Sequence, residues 1–82
     1  MHDFSKLTGL IIEKCKSKRK FADKMGLSET AIYLKLNNKL EFKPSEIEKA
    51  CEILGINEAD IPIYFFAQKV QNNWTLPRKF KS

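Results

Sequence analysis

The chain lacks the residues that catalysis, metal binding or membrane insertion would require. His2 is the single histidine among 82 residues and stands alone at a terminus expected to be mobile, so no serine–histidine–carboxylate set is picked out. A zinc site needs about four ligands and has one imidazole and two thiols to draw on. Its three glycines form no phosphate-cradling loop. The carboxylates between positions 41 and 60 lack the apolar pocket that raises a pKa. No apolar run approaches the roughly 20 residues that span a bilayer, and the first residues carry no signal-peptide core. These absences argue against an enzyme, a metal or cofactor protein, a small-molecule ligand and a membrane span, and lead us to expect a cytoplasmic protein. Cys15 and Cys51 each fall on an apolar helical face and read as two buried free thiols rather than a disulfide.

What is present is ordinary for one small soluble domain: 43% hydrophobic and 30% charged residues, enough for a modest core. The net charge of +5 is unevenly placed. Residues 1–40 hold nine Lys/Arg against four Asp/Glu, residues 41–60 two against six, and residues 61–82 four against none. A basic head, an acidic middle and a basic end give the molecule a directional field.

The informative stretch is 17–38, SKRKFADKMGLSETAIYLKLNN. Ser17 is placed to cap a helix whose apolar face is Phe21, Ala22 and Met25. Gly26 ends that helix where a positive φ is needed, and Leu27 fills the angle. Ser28 caps a second helix over 29–36, with Glu29 at the positive end of its dipole. Ala22 is small where the two helices cross and Ile32 packs beneath them. Two short helices joined by a tight glycine turn make a helix-turn-helix.

Around this unit the pattern predicts three more helices. The first is capped by Asp3 or Ser5 and runs to about Lys16, with Leu7, Leu10, Ile11 and Cys15 inward. Gly9 within it costs about 1 kcal/mol against alanine, or lets a neighbouring helix approach closely. After an Asn37–Asn38–Lys39 turn, Leu40 and Phe42 return to the core. Another helix opens either at Pro44 or at a Ser45/Glu48 capping box. Its inward face is Ile47, Ala50, Cys51 and Leu54, and its outward face is Glu46, Glu48, Lys49 and Glu52. Gly55 ends it. Asn57 caps a short fifth helix that Pro62 interrupts, and the apolar run Ile61 to Phe66 either completes the core or supplies a dimer contact. From Ala67 the sequence reads as a flexible basic tail with a short strand near 69–71. Trp74 there is either a docking anchor or inert, and Arg78, Lys79 and Lys81 add phosphate attraction. His2 is expected on a mobile terminus.

Residues 21–28, Ile32, Leu36 and Asn37 resemble the helix-turn-helix of the lambda-type repressor and Cro family of small phage and bacterial regulators. The resemblance covers about a quarter of the chain, with a weaker extension at 54–56. Lys35 departs from it, because that position is apolar in the family; the second helix is then rotated slightly or ends differently. The resemblance implies an all-α, compact five-helix, lambda-repressor-like DNA-binding domain over 1–66 and a basic tail over 67–82.

It also implies a function: sequence-specific binding of a double-stranded operator as a homodimer, by a phage or prophage regulator found on the bacterial nucleoid when DNA-bound. The helix over 29–36 enters the major groove. Base edges would be read by Ser28, Glu29, Thr30, Tyr33, Leu34 and Asn37. Phosphates would be held by Lys18, Lys20, Lys35, Asn38, Lys39 and Lys43, setting register without sequence information. Tyr33 and Leu34 have an alternative role in helix packing. Two rival functions stay open. One is a protein-interaction module of the same fold, antirepressor- or antitoxin-like, acting through its aromatic C-terminal segment. The other is a non-specific nucleic-acid compaction protein using the basic tail.

Overall fold

Among the described residues, five α-helices and one 3-10 turn account for the regular structure: α1 Ser5–Cys15, α2 Lys18–Met25, α3 Glu29–Leu36, α4 Pro44–Leu54, the 3-10 turn Glu58–Asp60 and α5 Ile61–Phe65. This computed structural model describes residues 2–68. The expected tail beyond Gln68, the strand near 69–71 and Trp74 lie outside the described residues. No described helix is long and apolar enough to cross a membrane.

Local chemistry sets most of the helix ends. The Ser17 hydroxyl accepts from the Lys20 amide at 3.1 Å, and that of Ser28 from the Ala31 amide at 3.0 Å. Each satisfies an N–H that the first helical turn would otherwise leave bare. Gly26 closes α2 at φ 74°, and the Leu27 amide reaches back to the Ala22 carbonyl. Gly55 closes α4 in the same way at φ 70°. Asn38 serves as the left-handed residue after α3 at φ 63°, with the Lys39 amide bonding the Leu34 carbonyl at 2.8 Å. The expected asparagine turn is therefore present, and it is Asn38, not Asn37, that takes the left-handed conformation. Lys16 was not expected there; it ends α1 at φ 78°, against the steric preference of a residue with a Cβ.

The core gathers one face from every helix. Leu7 and Ile11 of α1, Phe21 of α2, Ile32 of α3, Leu54 of α4 and Phe65 of α5 are the largest fully buried side chains. Phe42 bridges the elements: its ring lies edge-on to Phe4 at 5.5 Å and to Phe65 at 5.3 Å. Such edge-to-face contacts between aromatic rings add to the area they bury.

Several expectations are corrected. Pro62 does not interrupt a helix; it occupies the first turn of α5, where its missing N–H costs nothing. Asn57 makes no side-chain cap to the 3-10 turn. Gly9 faces open space and serves no close approach. Cys15 is buried, but Cys51 is only half-buried; burial nonetheless raises the Cys51 thiol pKa. The start of α4 falls at Pro44, with the Glu46 carboxylate accepting from the Lys43 amide at 2.9 Å.

His2, expected on a mobile terminus, is held by hydrogen bonds. The His2 amide donates to the Asn38 side chain at 3.1 Å, and the Asn38 amide group donates back to the His2 carbonyl at 2.9 Å. The Asp3 amide donates to the Ala67 carbonyl at 2.6 Å, and His2 pairs with Gln68 as an isolated antiparallel bridge. Residues from both ends of the described chain thus meet at the C-terminal end of α3.

Candidate nucleic-acid interface

The unit α2–turn–α3 presents one side of α3 outward. Ile32 and Leu36 point into the core, and positions 29, 33 and 37 follow at helical spacing on the other side. Glu29, Thr30, Tyr33 and Asn37 are all exposed, Tyr33 to 57%. Leu34 is half-buried, and its carbonyl anchors the turn that follows. Ser28 is exposed and spends its hydroxyl oxygen on the cap, leaving its proton free to donate. The Asn37 amide group donates to the Tyr33 carbonyl at 2.8 Å, leaving its oxygen as an acceptor at the helix end. Acceptors, a hydroxyl and a phenol ring therefore share a short face on a helix braced from behind.

Of the cations expected to hold phosphates, Lys20, Lys39 and Lys43 are exposed, and Lys18, at the first position of α2, is half-buried. Arg19 and Lys24, also exposed on α2, had not been singled out. Two of the expected contacts are engaged within the fold. Lys35 is 5% exposed; its ammonium pairs with Glu46 at 2.9 Å and donates to the Glu41 carbonyl at 2.9 Å, 5.8 Å over the Phe42 ring. Asn38 has its amide committed in both directions to the His2 backbone.

The Lys35 departure is thus explained by a partner, and no rotation of α3 is required. The helix keeps Ile32 and Leu36 inward while the lysine stem packs and its head reaches α4. Glu46 correspondingly leaves the outward acidic face assigned to it. Burial raises its pKa, but the Lys43 amide and the Lys35 ammonium outweigh that and hold it below the usual value. The pair ties the end of α3 to the start of α4 across the 37–43 loop. The sequence signal for it was a cation at an apolar position, but nothing in the spacing named its partner.

A family model described as "Protein of unknown function (DUF739)" matches residues 1–68. The solution structure of the modulator of repression (MOR) of the temperate bacteriophage TP901-1 from Lactococcus lactis is similar at 50% identity. The match covers 85% of this chain and 95% of that one, with a TM-score of 0.72. No curated protein matches.

Proposed function

The chain belongs to the DUF739 family, and we propose that it is a phage or prophage regulator that binds double-stranded DNA sequence-specifically, with α3 in the major groove of an operator. The observation that carries this reading is the outward face of α3. Glu29, Thr30, Tyr33 and Asn37 are exposed together on a helix whose back is buried, with exposed Lys20 on the preceding helix and exposed Lys39 and Lys43 in the loop that follows. A helix with its side chains is about 10–12 Å across and the major groove about 12 Å wide. Thr30 meets a thymine methyl or donates to a base, Glu29 accepts from cytosine N4, and the Tyr33 ring packs on a thymine methyl or its hydroxyl meets a phosphate. Ser28, half-buried Leu34 and Asn37 border that contact.

The chemistry is recognition, not catalysis. A homodimer on a two-fold operator would place its half-sites about 34–36 Å apart. The protein would act in the bacterial cytoplasm, on the nucleoid when DNA-bound. The solved relative is named a modulator of repression, which fits a role in the control of transcription.

A second reading has its own observation. Ile63 and Phe66, in and just after α5, are 44% and 50% exposed, an apolar surface suited to a protein partner. In that reading the fold serves an antirepressor- or antitoxin-like contact. The test is selection from randomised duplex DNA at two salt concentrations. Enrichment of a two-fold motif that disappears on Thr30→Ala with Tyr33→Ala supports the regulator. Binding without an enriched motif leaves a charge-driven binder. No binding at low salt overturns the reading and turns attention to Ile63 and Phe66.

A further inference from the structure

One concavity among the described residues is lined by none of Glu29, Thr30, Tyr33 and Asn37. It is an open groove of about 310 Å³ between the N-terminal clasp and the 40–42 turn, with Phe42 and Phe65 at its base and Leu40 and Phe66 on its rim. The two rim residues are 47% and 50% exposed. Both walls are pinned. His2 is clasped by Asn38 on one side, and the Glu41 carbonyl is held by the buried Lys35 ammonium on the other. A groove fixed in advance costs an occupant little reorganisation, and aromatic edges at its base favour a planar ring.

We propose that this groove receives the chain's own C-terminal segment, 69–82, with Trp74 as the side chain that fills it. The first argument is where the described chain ends. The Gln68 side-chain amide lies 3.3 Å from the His2 ring, and His2 is part of the groove wall. Trp74 follows six positions later, a reach of up to roughly 20 Å if extended. Little chain is needed to turn back onto a groove that starts at the exit point.

The second argument is composition. Residues 69–82 carry four Lys/Arg and no acid, while the groove's lining includes the Glu41 carboxylate and no Lys or Arg, the nearby Lys35 ammonium being paired with Glu46. The segment also holds the chain's single tryptophan, with Leu76 and Phe80 beyond it. The third is tethering. A covalently attached segment meets the groove at about millimolar effective concentration, which a free partner or a second copy has to exceed. The occupied groove covers Leu40 and Phe66, half-exposed apolar side chains that the described fold leaves uncovered.

Trp74 makes the test direct, since it is the only indole in the protein. Tryptophan emission and acrylamide quenching are measured on the full chain and compared with N-acetyl-tryptophanamide. The expected result is a blue-shifted emission and several-fold weaker quenching, both unchanged on dilution. Leu40→Glu and Phe66→Glu, each at a half-exposed position, should return both readouts towards the free compound with the far-ultraviolet circular dichroism unaltered. Emission and quenching equal to the free compound in the unmodified protein would overturn the proposal. So would a blue shift that survives both groove variants, which places the indole elsewhere, or one lost on dilution, which assigns the groove to a second copy's segment. If one variant unfolds, the other decides.

Discussion

Replacing Lys35 with methionine keeps most of the buried stem and removes the charge that faces Glu46. The two side chains are 6% and 14% exposed and 2.9 Å apart. At an effective dielectric of about 20 their gross attraction is roughly 6 kcal/mol, most of it offset by desolvation. Breaking such a pair on one side typically costs about 3–5 kcal/mol, because the remaining charge stays buried. Glu46 keeps the Lys43 amide as a donor and some contact with water, so we expect about 2–3 kcal/mol for Lys35→Met. In a domain of this size that is a fall of roughly 10–20 °C in Tm. Lys35→Met with Glu46→Gln should regain most of the loss, since the glutamine oxygen still accepts from Lys43 and no charge is stranded. Urea unfolding followed by circular dichroism supplies all corners of the double-mutant cycle. A loss below about 0.5 kcal/mol for Lys35→Met, additive with Glu46→Gln, would refute the buried pair and return Lys35 to the solvent-facing role first expected of it.

Three other perturbations follow from the same geometry. Because the folded state holds the Glu46 pKa down, the unfolded chain takes up that proton first on acidification. The contribution is present above the ordinary carboxylate pKa of about 4.3 and is lost as pH falls through the folded value; urea midpoints across this range should fall more steeply for the unmodified protein than for Glu46→Gln. Lys16→Gly should stabilise by about 1 kcal/mol, because glycine adopts the φ of 78° at the end of α1 without the Cβ penalty, and a lowered Tm would count against that. Asn38→Gly preserves the left-handed turn but removes both bonds to His2, costing about 1–2 kcal/mol; hydrogen exchange should show the His2 and Asp3 amides losing protection, and unchanged protection would mean the clasp does not hold the N-terminus.

The features that could be read in advance are those decided within a few residues. Ser17 and Ser28 cap because a hydroxyl lies three positions ahead of the amide it satisfies. Gly26 and Gly55 end helices because positive φ is cheapest without a Cβ. The spacing of Phe21, Ala22, Met25 and Ile32 marks their inward faces. The outward residues Glu29, Thr30 and Tyr33 follow from the same periodicity, so the exposed face of α3 was legible before its surroundings were known. Pro62 was misjudged because proline breaks a helix interior but suits a first turn, and which of these applies depends on where the preceding turn ends.

The amino-acid sequence by itself determined most of the helices, the Ser17 and Ser28 caps, the tight turn between α2 and α3 and the side of α3 that faces solvent, all through interactions that span one or two helical turns. Only the tertiary structure decided the fates of Lys35, Asn38 and His2. Lys35 looked like a phosphate contact until α4 brought Glu46 beside it. Asn38 looked available until the N-terminus, 36 positions away, took both ends of its amide. A charged or polar side chain is assigned by the partner that packing delivers, because the desolvation cost and the compensating bond both belong to the folded neighbourhood and have no periodic trace in the chain.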